Sequence, residues 1–158
     1  MKSLIYLAAL PVAALAMPGP KPFDTVPFAP ATGQNGSSLC TTRQHHHTAD
    51  NANPADMMDC LEIGTWASDH NGEWILKETT TTTTDDWHVL LTRGHCTFLV
   101  KNTQATSLGN RDVMDMVDAI HLSDGIRLGP IEEKGTFGGC QDDADVQFWL
   151  RDGVPGAE

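Results

Sequence analysis

The sequence predicts an α+β domain: two helices packed on one mostly antiparallel sheet, stabilised by disulfides. Three observations predict it. Two segments repeat apolar residues with helical spacing, several others alternate apolar and polar residues with the period of a strand, and four cysteines follow an apolar N-terminal leader. A helix, consecutive strands, a second helix and further strands then fit two helices against one antiparallel sheet.

Residues 1–16, MKSLIYLAALPVAALA, combine one positive charge at Lys2, an apolar stretch from Leu4 to Leu15, and small residues at Ala14 and Ala16. These are the parts of a secretory signal peptide, with cleavage expected after Ala16. A membrane span needs roughly 20 apolar residues, and Pro11 and the Met17-Pro18-Gly19-Pro20 break interrupt the run too early. The product is therefore expected to be extracellular and to carry no membrane anchor. Residues 17–39 hold Pro18, Pro20, Pro22, Pro27 and Pro30 and then Gly33-Gln34-Asn35-Gly36-Ser37-Ser38, which predicts an extended N-terminal tail. Asn35-Gly36-Ser37 is the single N-glycosylation acceptor in the chain, so Asn35 is the glycosylation candidate.

The first helix is expected to open with Asn53 as cap and Pro54 in the first turn, and to bury Met57, Cys60, Leu61 and Gly64. Alternation then predicts three consecutive strands, in EWILKE, in WHVLLTR and in CTFLVK, with Trp87, Val89 and Leu91 and then Cys96, Phe98 and Val100 on single faces. Thr79 to Thr84 extend the first of these toward a loop at Asp85-Asp86, and Arg93-Gly94 turns the chain into the strand that Cys96 begins. The second helix buries Val113, Met116, Val117 and Ile120, leaves Asp112, Asp115 and Asp118 on its surface, and stops at Gly125. Short strands follow near Ile126–Leu128 and Gly135–Cys140, and a last one in DVQFWL.

Charge and cysteines narrow the function classes. Removal of residues 1–16 leaves 142 residues, enough for one compact domain, and loss of Lys2 takes the formal charge from −11 to −12. That charge repels phosphate backbones and anionic lipid, so nucleic acid is not an expected partner. Cys40, Cys60, Cys96 and Cys140 all enter an oxidising compartment, and four cysteines allow three pairings.

Two constellations invite a catalytic reading. His95 precedes Cys96, but neighbours on a strand point to opposite faces, and an even cysteine count leaves no free thiol. His45-His46-His47 sits near Asp50, and extended backbone sets His45 and His47 on one side about 7 Å apart. A closed metal site needs three or four ligands with supporting hydrogen bonds, so His45 and His47 remain weak candidates and no metal or cofactor is expected. Asp142, Asp143 and Asp145 are read as a solvated run, and neither a phosphate-cradling loop nor a nucleophile elbow is present.

Taken in order, MMDCLEI, NGEW, RGHCTFLV, GNRDVMDMVDAI and EEKGTFGGC resemble the secreted fungal effector family with an Hce-type domain, the necrosis-inducing-factor family that includes homologues of a leaf-mould extracellular effector. The matching positions are Asp59-Cys60, Gly72 to Trp74, Gly94-His95-Cys96-Thr97-Phe98, Gly109-Asn110, Asp112-Val113 and the segment ending at Cys140. The resemblance covers residues 40–140 and leaves an acidic extension, residues 141–158. It implies a secreted virulence protein that binds a host target, with neither cofactor nor catalytic residues. The preferred pairing joins Cys60 to Cys96, tying the first helix to the central strand, and Cys40 to Cys140, tying the ends. A monomer is expected, binding a host or competitor protein or a cell-surface target. The alternatives are an antimicrobial, killer-toxin-like protein and a secreted metal-dependent hydrolase. Mass spectrometry of an unreduced digest is expected to recover Cys60 linked to Cys96; a Cys60 peptide joined to Cys40 or Cys140 would exclude the pairing.

Overall fold

The computed structural model describes residues 25–32, 36–48, 52–79, 86–123 and 125–155. The leader at residues 1–16, the acceptor Asn35, Asp50 and most of the threonine run lie outside the described residues. Eight strands and two α-helices follow in the order β1 (Phe28–Pro30), β2 (Thr42–His47), α1 (Met57–Asp69), β3 (Gly72–Leu76), β4 (His88–Arg93), β5 (Cys96–Asn102), β6 (Thr106–Gly109), α2 (Asn110–Leu122), β7 (Glu133–Gly138) and β8 (Val146–Arg151).

Helix α1 begins later than the Asn53-Pro54 signal predicts. Ala55 exchanges two backbone hydrogen bonds with Ile131, which keeps the chain extended through that position. Asp56 becomes the cap instead, its Oδ1 accepting the Met58 N–H at 2.8 Å. The buried stripe is Met57, Cys60, Ile63, Gly64 and Ala67, so Ile63 takes the place expected of Leu61. Helix α2 buries Val113, Met116, Val117 and Ile120 as their spacing predicts. The two helices pack on each other; α1 also lies against β4 and β5, and α2 against β3 and β6.

The α+β class, the two helices and two disulfides are all present, but the strands form two antiparallel sheets rather than one. One sheet has five strands in the order β2-β7-β8-β5-β4, and the other has three in the order β1-β3-β6. The expected three-strand meander therefore splits. β4 and β5 form a hairpin, while β3 leaves that sheet to pair with β1 and β6. Alternation marks a segment as a strand without naming its partner, and a long connection after Leu76 frees β3 from any obligation to pair with β4.

Segments that lie outside the expected domain on both sides are built into the fold. Residues 28–30, inside the expected tail, pair with β3, and Phe28 packs edge-on against Trp66 and Trp74 at 5.2 and 4.9 Å. Pro30 is tolerated because β1 is an edge strand, where a missing N–H breaks no ladder. Residues 146–151, inside the expected acidic extension, form β8, the middle strand of the larger sheet. Its Val146, Phe148 and Leu150 are fully buried, and the Phe148 ring lies 5.5 Å from Phe98 and 5.3 Å from Phe137. Gly135 makes that cluster possible: a Cβ there would sit 2.0 Å from the Gln44 carbonyl and 2.5 Å from the Phe148 ring. No strand forms at 126–128, where Ile126 and Leu128 are exposed and the Arg127 N–H is bound instead to the His121 carbonyl.

The disulfides join Cys40 to Cys140 and Cys60 to Cys96, across sequence separations of 100 and 36. In the chain-entropy picture loops of these lengths are worth about 4–5 and about 4 kcal/mol. The first ties the residues before β2 to those after β7, and the second ties α1 to the start of β5. No helix among the described residues is long and apolar enough to cross a membrane.

Because β8 lies between β7 and β5, a chain ending at Asp145 leaves both without a partner on their inner edges. Such a chain is expected to show no cooperative transition in urea followed by circular dichroism, whereas the full chain unfolds cooperatively. A sharp transition in the truncated protein would show that β8 is dispensable.

Candidate functional site

The positions of the residues that carry the sequence motifs decide what is left for function. Asp59, beside the bridged Cys60 on α1, accepts the His95 N–H at 2.6 Å through Oδ2. Gly94 has φ of +45°, and a Cβ there would lie 2.3 Å from the same oxygen, so the turn into β5 needs glycine for both reasons. The Cys96 sulfur is bonded to Cys60, and the His95 ring is exposed, with Nδ1 at 3.3 Å from Asp152. Histidine and cysteine therefore belong to a clasp between helix and hairpin, with no thiolate for the imidazole to activate.

The second clasp lies at the start of α2. Asn110, buried, accepts the Ser37 and Gly72 N–H groups through Oδ1 and donates through Nδ2 to the Ala67 carbonyl. Asp112, expected on the surface, is fully buried. Its Oδ2 accepts the Leu39 N–H at 2.8 Å and the Gly109 N–H at 3.0 Å. Its Oδ1 accepts from the Ser38 hydroxyl, the Cys40 N–H and Arg43 at 3.0, 3.4 and 3.0 Å. Helical periodicity could not reveal this, since all the partners but Gly109 lie about seventy residues upstream.

His45 and His47 do share a side, and both turn to one carboxylate. Their Nδ1 atoms lie 3.4 and 3.2 Å from the buried Glu133, whose Oε1 also accepts Arg127 at 2.6 Å. The guanidinium occupies the carboxylate that a third metal ligand would need to offer. Among the described residues, no group of three or more His, Cys, Asp and Glu side chains is disposed to hold a metal.

His46 points the other way, onto the outer face of the five-stranded sheet. The register aligns His46, Lys134, Trp149 and Leu99 in one row, and Gln44, Thr136, Gln147 and Lys101 in the next. Along β2, β7, β8 and β5 none of these outward positions is acidic. Trp149 organises the face. Its Nε1 donates to the buried Glu132 at 3.0 Å, which also accepts the Asn53 N–H at 3.1 Å, so the indole is held in place. The Lys134 ammonium lies 3.8 Å from the Trp149 ring centre, the Arg151 guanidinium 4.4 Å, and the Trp87 ring 5.5 Å edge-on. Beside this group is a cavity of about 410 Å³ lined by Gln44, His46, Trp87, Lys134, Thr136 and Gln147.

Sequence reasoning missed this surface. The parity of β8, with Gln147, Trp149 and Arg151 on one side and Val146, Phe148 and Leu150 on the other, was the available signal. The rows beside it depend on strand order, which alternation does not carry.

The architecture defines a disulfide-stabilised α+β domain whose marker residues hold it together. Residues 39–138 match the model of the Hce2 family, described as "Pathogen effector; putative necrosis-inducing factor", and the chain belongs to that family. No curated protein matches it. The matched span ends before β8, so the sheet includes a strand beyond the family match.

Replacing Asp112 by alanine leaves three backbone N–H groups and the Ser38 hydroxyl without that acceptor, and of the two carboxylates that pair with Arg43 leaves only the more exposed Asp115. The expected loss is on the order of 3–5 kcal/mol, visible in thermal unfolding as a fall in Tm of about 10 °C or more. Asp118→Ala, on the exposed face of the same helix, is expected to change Tm by no more than about 2 °C. Equal effects would remove the buried carboxylate from its organising role.

Proposed function

We propose that this protein is a secreted fungal effector, a virulence protein that acts by binding a host target through the outer face of its five-stranded sheet. Membership of a pathogen-effector family carries the reading. Two disulfides are consistent with secretion into an oxidising compartment. Action by binding rather than by covalent chemistry is supported by the motif side chains: Asp59, Asn110 and Asp112 are occupied by hydrogen bonds within the chain. The outer sheet face offers what a recognition surface needs, a fixed indole with cations and amides around it.

The test is infiltration of purified, oxidised protein into leaf tissue, with ion leakage as the measure of cell death and parallel addition to fungal and bacterial cultures. Leakage in leaf and undisturbed microbial growth are expected. Prior reduction of the disulfides is expected to abolish the response, and Lys134→Glu to weaken it about tenfold while leaving Tm unchanged. Growth arrest of the cultures with no response in leaf would turn the reading to an antimicrobial toxin. An undiminished response from Lys134→Glu would move the binding surface elsewhere on the molecule.

A further inference from the structure

The chemistry of the outer sheet face also points to a kind of partner. We propose that this face binds an anionic oligosaccharide, a short chain of sugar rings bearing carboxylates, with Trp87 as the aromatic wall, Gln44, Thr136 and Gln147 meeting hydroxyls, and Lys134, held in place by Trp149, meeting a carboxylate. The proposal rests on the reading of this face as the binding surface.

Four observations lead there. A sugar ring has an apolar C–H face and a rim of hydroxyls, and it needs a flat apolar wall beside groups that both donate and accept hydrogen bonds. Trp87 lines a cavity of about 410 Å³, within the range of small-ligand sites, together with two amides and a hydroxyl. Gln44 pairs across the ladder with Thr136, and Thr136 with Gln147, so the three side chains form one row on a rigid sheet. A row on strands holds its spacing without further ordering on binding.

Charge selects the acidic sugar. The chain carries a formal charge of −11, yet the outward positions of β2, β7 and β8 include His46 and Lys134 and no carboxylate, and Glu132, the carboxylate beside this group, is buried and takes the Trp149 N–H. Arg151, only 8% exposed, adds its charge 4.4 Å from the centre of the Trp149 ring. Lys134 is held over that ring at 3.8 Å, which fixes the ammonium beside the cavity it lines. A compact anion feels this local field, whereas a long polyphosphate also meets the acidic remainder of the surface.

Shape argues against a membrane surface. Among the described residues the exposed large hydrophobic side chains are Met58, Ile75, Leu122, Ile126 and Leu128, and none of them belongs to this face. A membrane-binding face is expected to present protruding apolar groups. Here the row of Gln44, Thr136, Gln147 and Lys101 is amide, hydroxyl and ammonium, beside the row that holds Trp149.

The experiment titrates the full oxidised protein with the trisaccharide of galacturonic acid, followed by tryptophan fluorescence and calorimetry. The neutral galactose trisaccharide and a single-stranded RNA run in parallel. The acidic sugar is expected to bind at least tenfold more tightly than the neutral one and to weaken as salt is raised. Lys134→Gln and, separately, Gln147→Ala are each expected to weaken it about tenfold, with Tm unchanged, while Asp118→Ala leaves it as it was. Equal affinity for acidic and neutral sugars, tighter binding of RNA, or no binding of the acidic sugar at about 10 mM would each overturn the proposal. The effector reading fails separately. Sugar binding without any leaf response sinks that reading and leaves the glycan site standing. A leaf response lost in Lys134→Glu, with no sugar bound by the parent protein, does the reverse.

Discussion

The carboxylate of Asp112 lies where the two sheets and the second helix have to meet. It is fully buried, and both oxygens are engaged, by N–H groups from residues 39 and 40, by the Ser38 hydroxyl, by Arg43 and by the N–H of Gly109 at the helix start. A buried charge is tolerated only with this degree of compensation, so the geometry around it is strongly constrained. Holding residues 38–43 against α2 sets the path into β2, the edge strand that pairs with β7. The same contact brings Cys40 to where Cys140 can reach it. The helix dipole adds to the arrangement, since the carboxylate sits in the first turn of α2.

Asp59 repeats this logic on a smaller scale. It too is a carboxylate that accepts a backbone N–H from a distant turn, and it too stands beside a disulfide. Each covalent bridge is thus accompanied by a carboxylate that orients the neighbouring backbone. The bridges remove freedom from the unfolded chain, while the carboxylates specify which folded arrangement forms. Family motifs that combine Asp, Gly and Cys read naturally as parts of these paired clasps, which explains why they resist a catalytic interpretation.

The sequence carried the local features well and the partnerships poorly. Helix α2 was legible because four apolar residues at helical spacing admit one face, and β5 and β8 because alternation admits one parity. The start of α1 was misread because Ala55 pairs with Ile131, a contact set by a strand segment far along the chain. Two sheets looked like one because register and order are decided by burial against the helices and by connection length. The burial of Asp112 was hidden for a related reason: its spacing along α2 suits a solvent position, and only the returning N-terminal segment covers it. The outer face of the large sheet was half visible, in the parity of Gln147, Trp149 and Arg151. Its cavity depends on Gln44 and Trp87, which reach it from β2 and from the chain leading into β4.

The position of β8 bears on how the molecule is made. Chains grow from the N-terminus, and the last strand to emerge is the one that must enter the middle of the large sheet. Until it arrives, β7 and β5 cannot lie side by side through a shared neighbour, and their apolar faces stay uncovered. The Cys60–Cys96 bridge spans only 36 residues and joins parts synthesised earlier, whereas Cys40–Cys140 links segments 100 residues apart. Contacts so distant in sequence make for slow closure, with unpaired strand edges exposed while it proceeds. Whatever compartment oxidises the cysteines is therefore also the place where a chaperone has longest access to this chain.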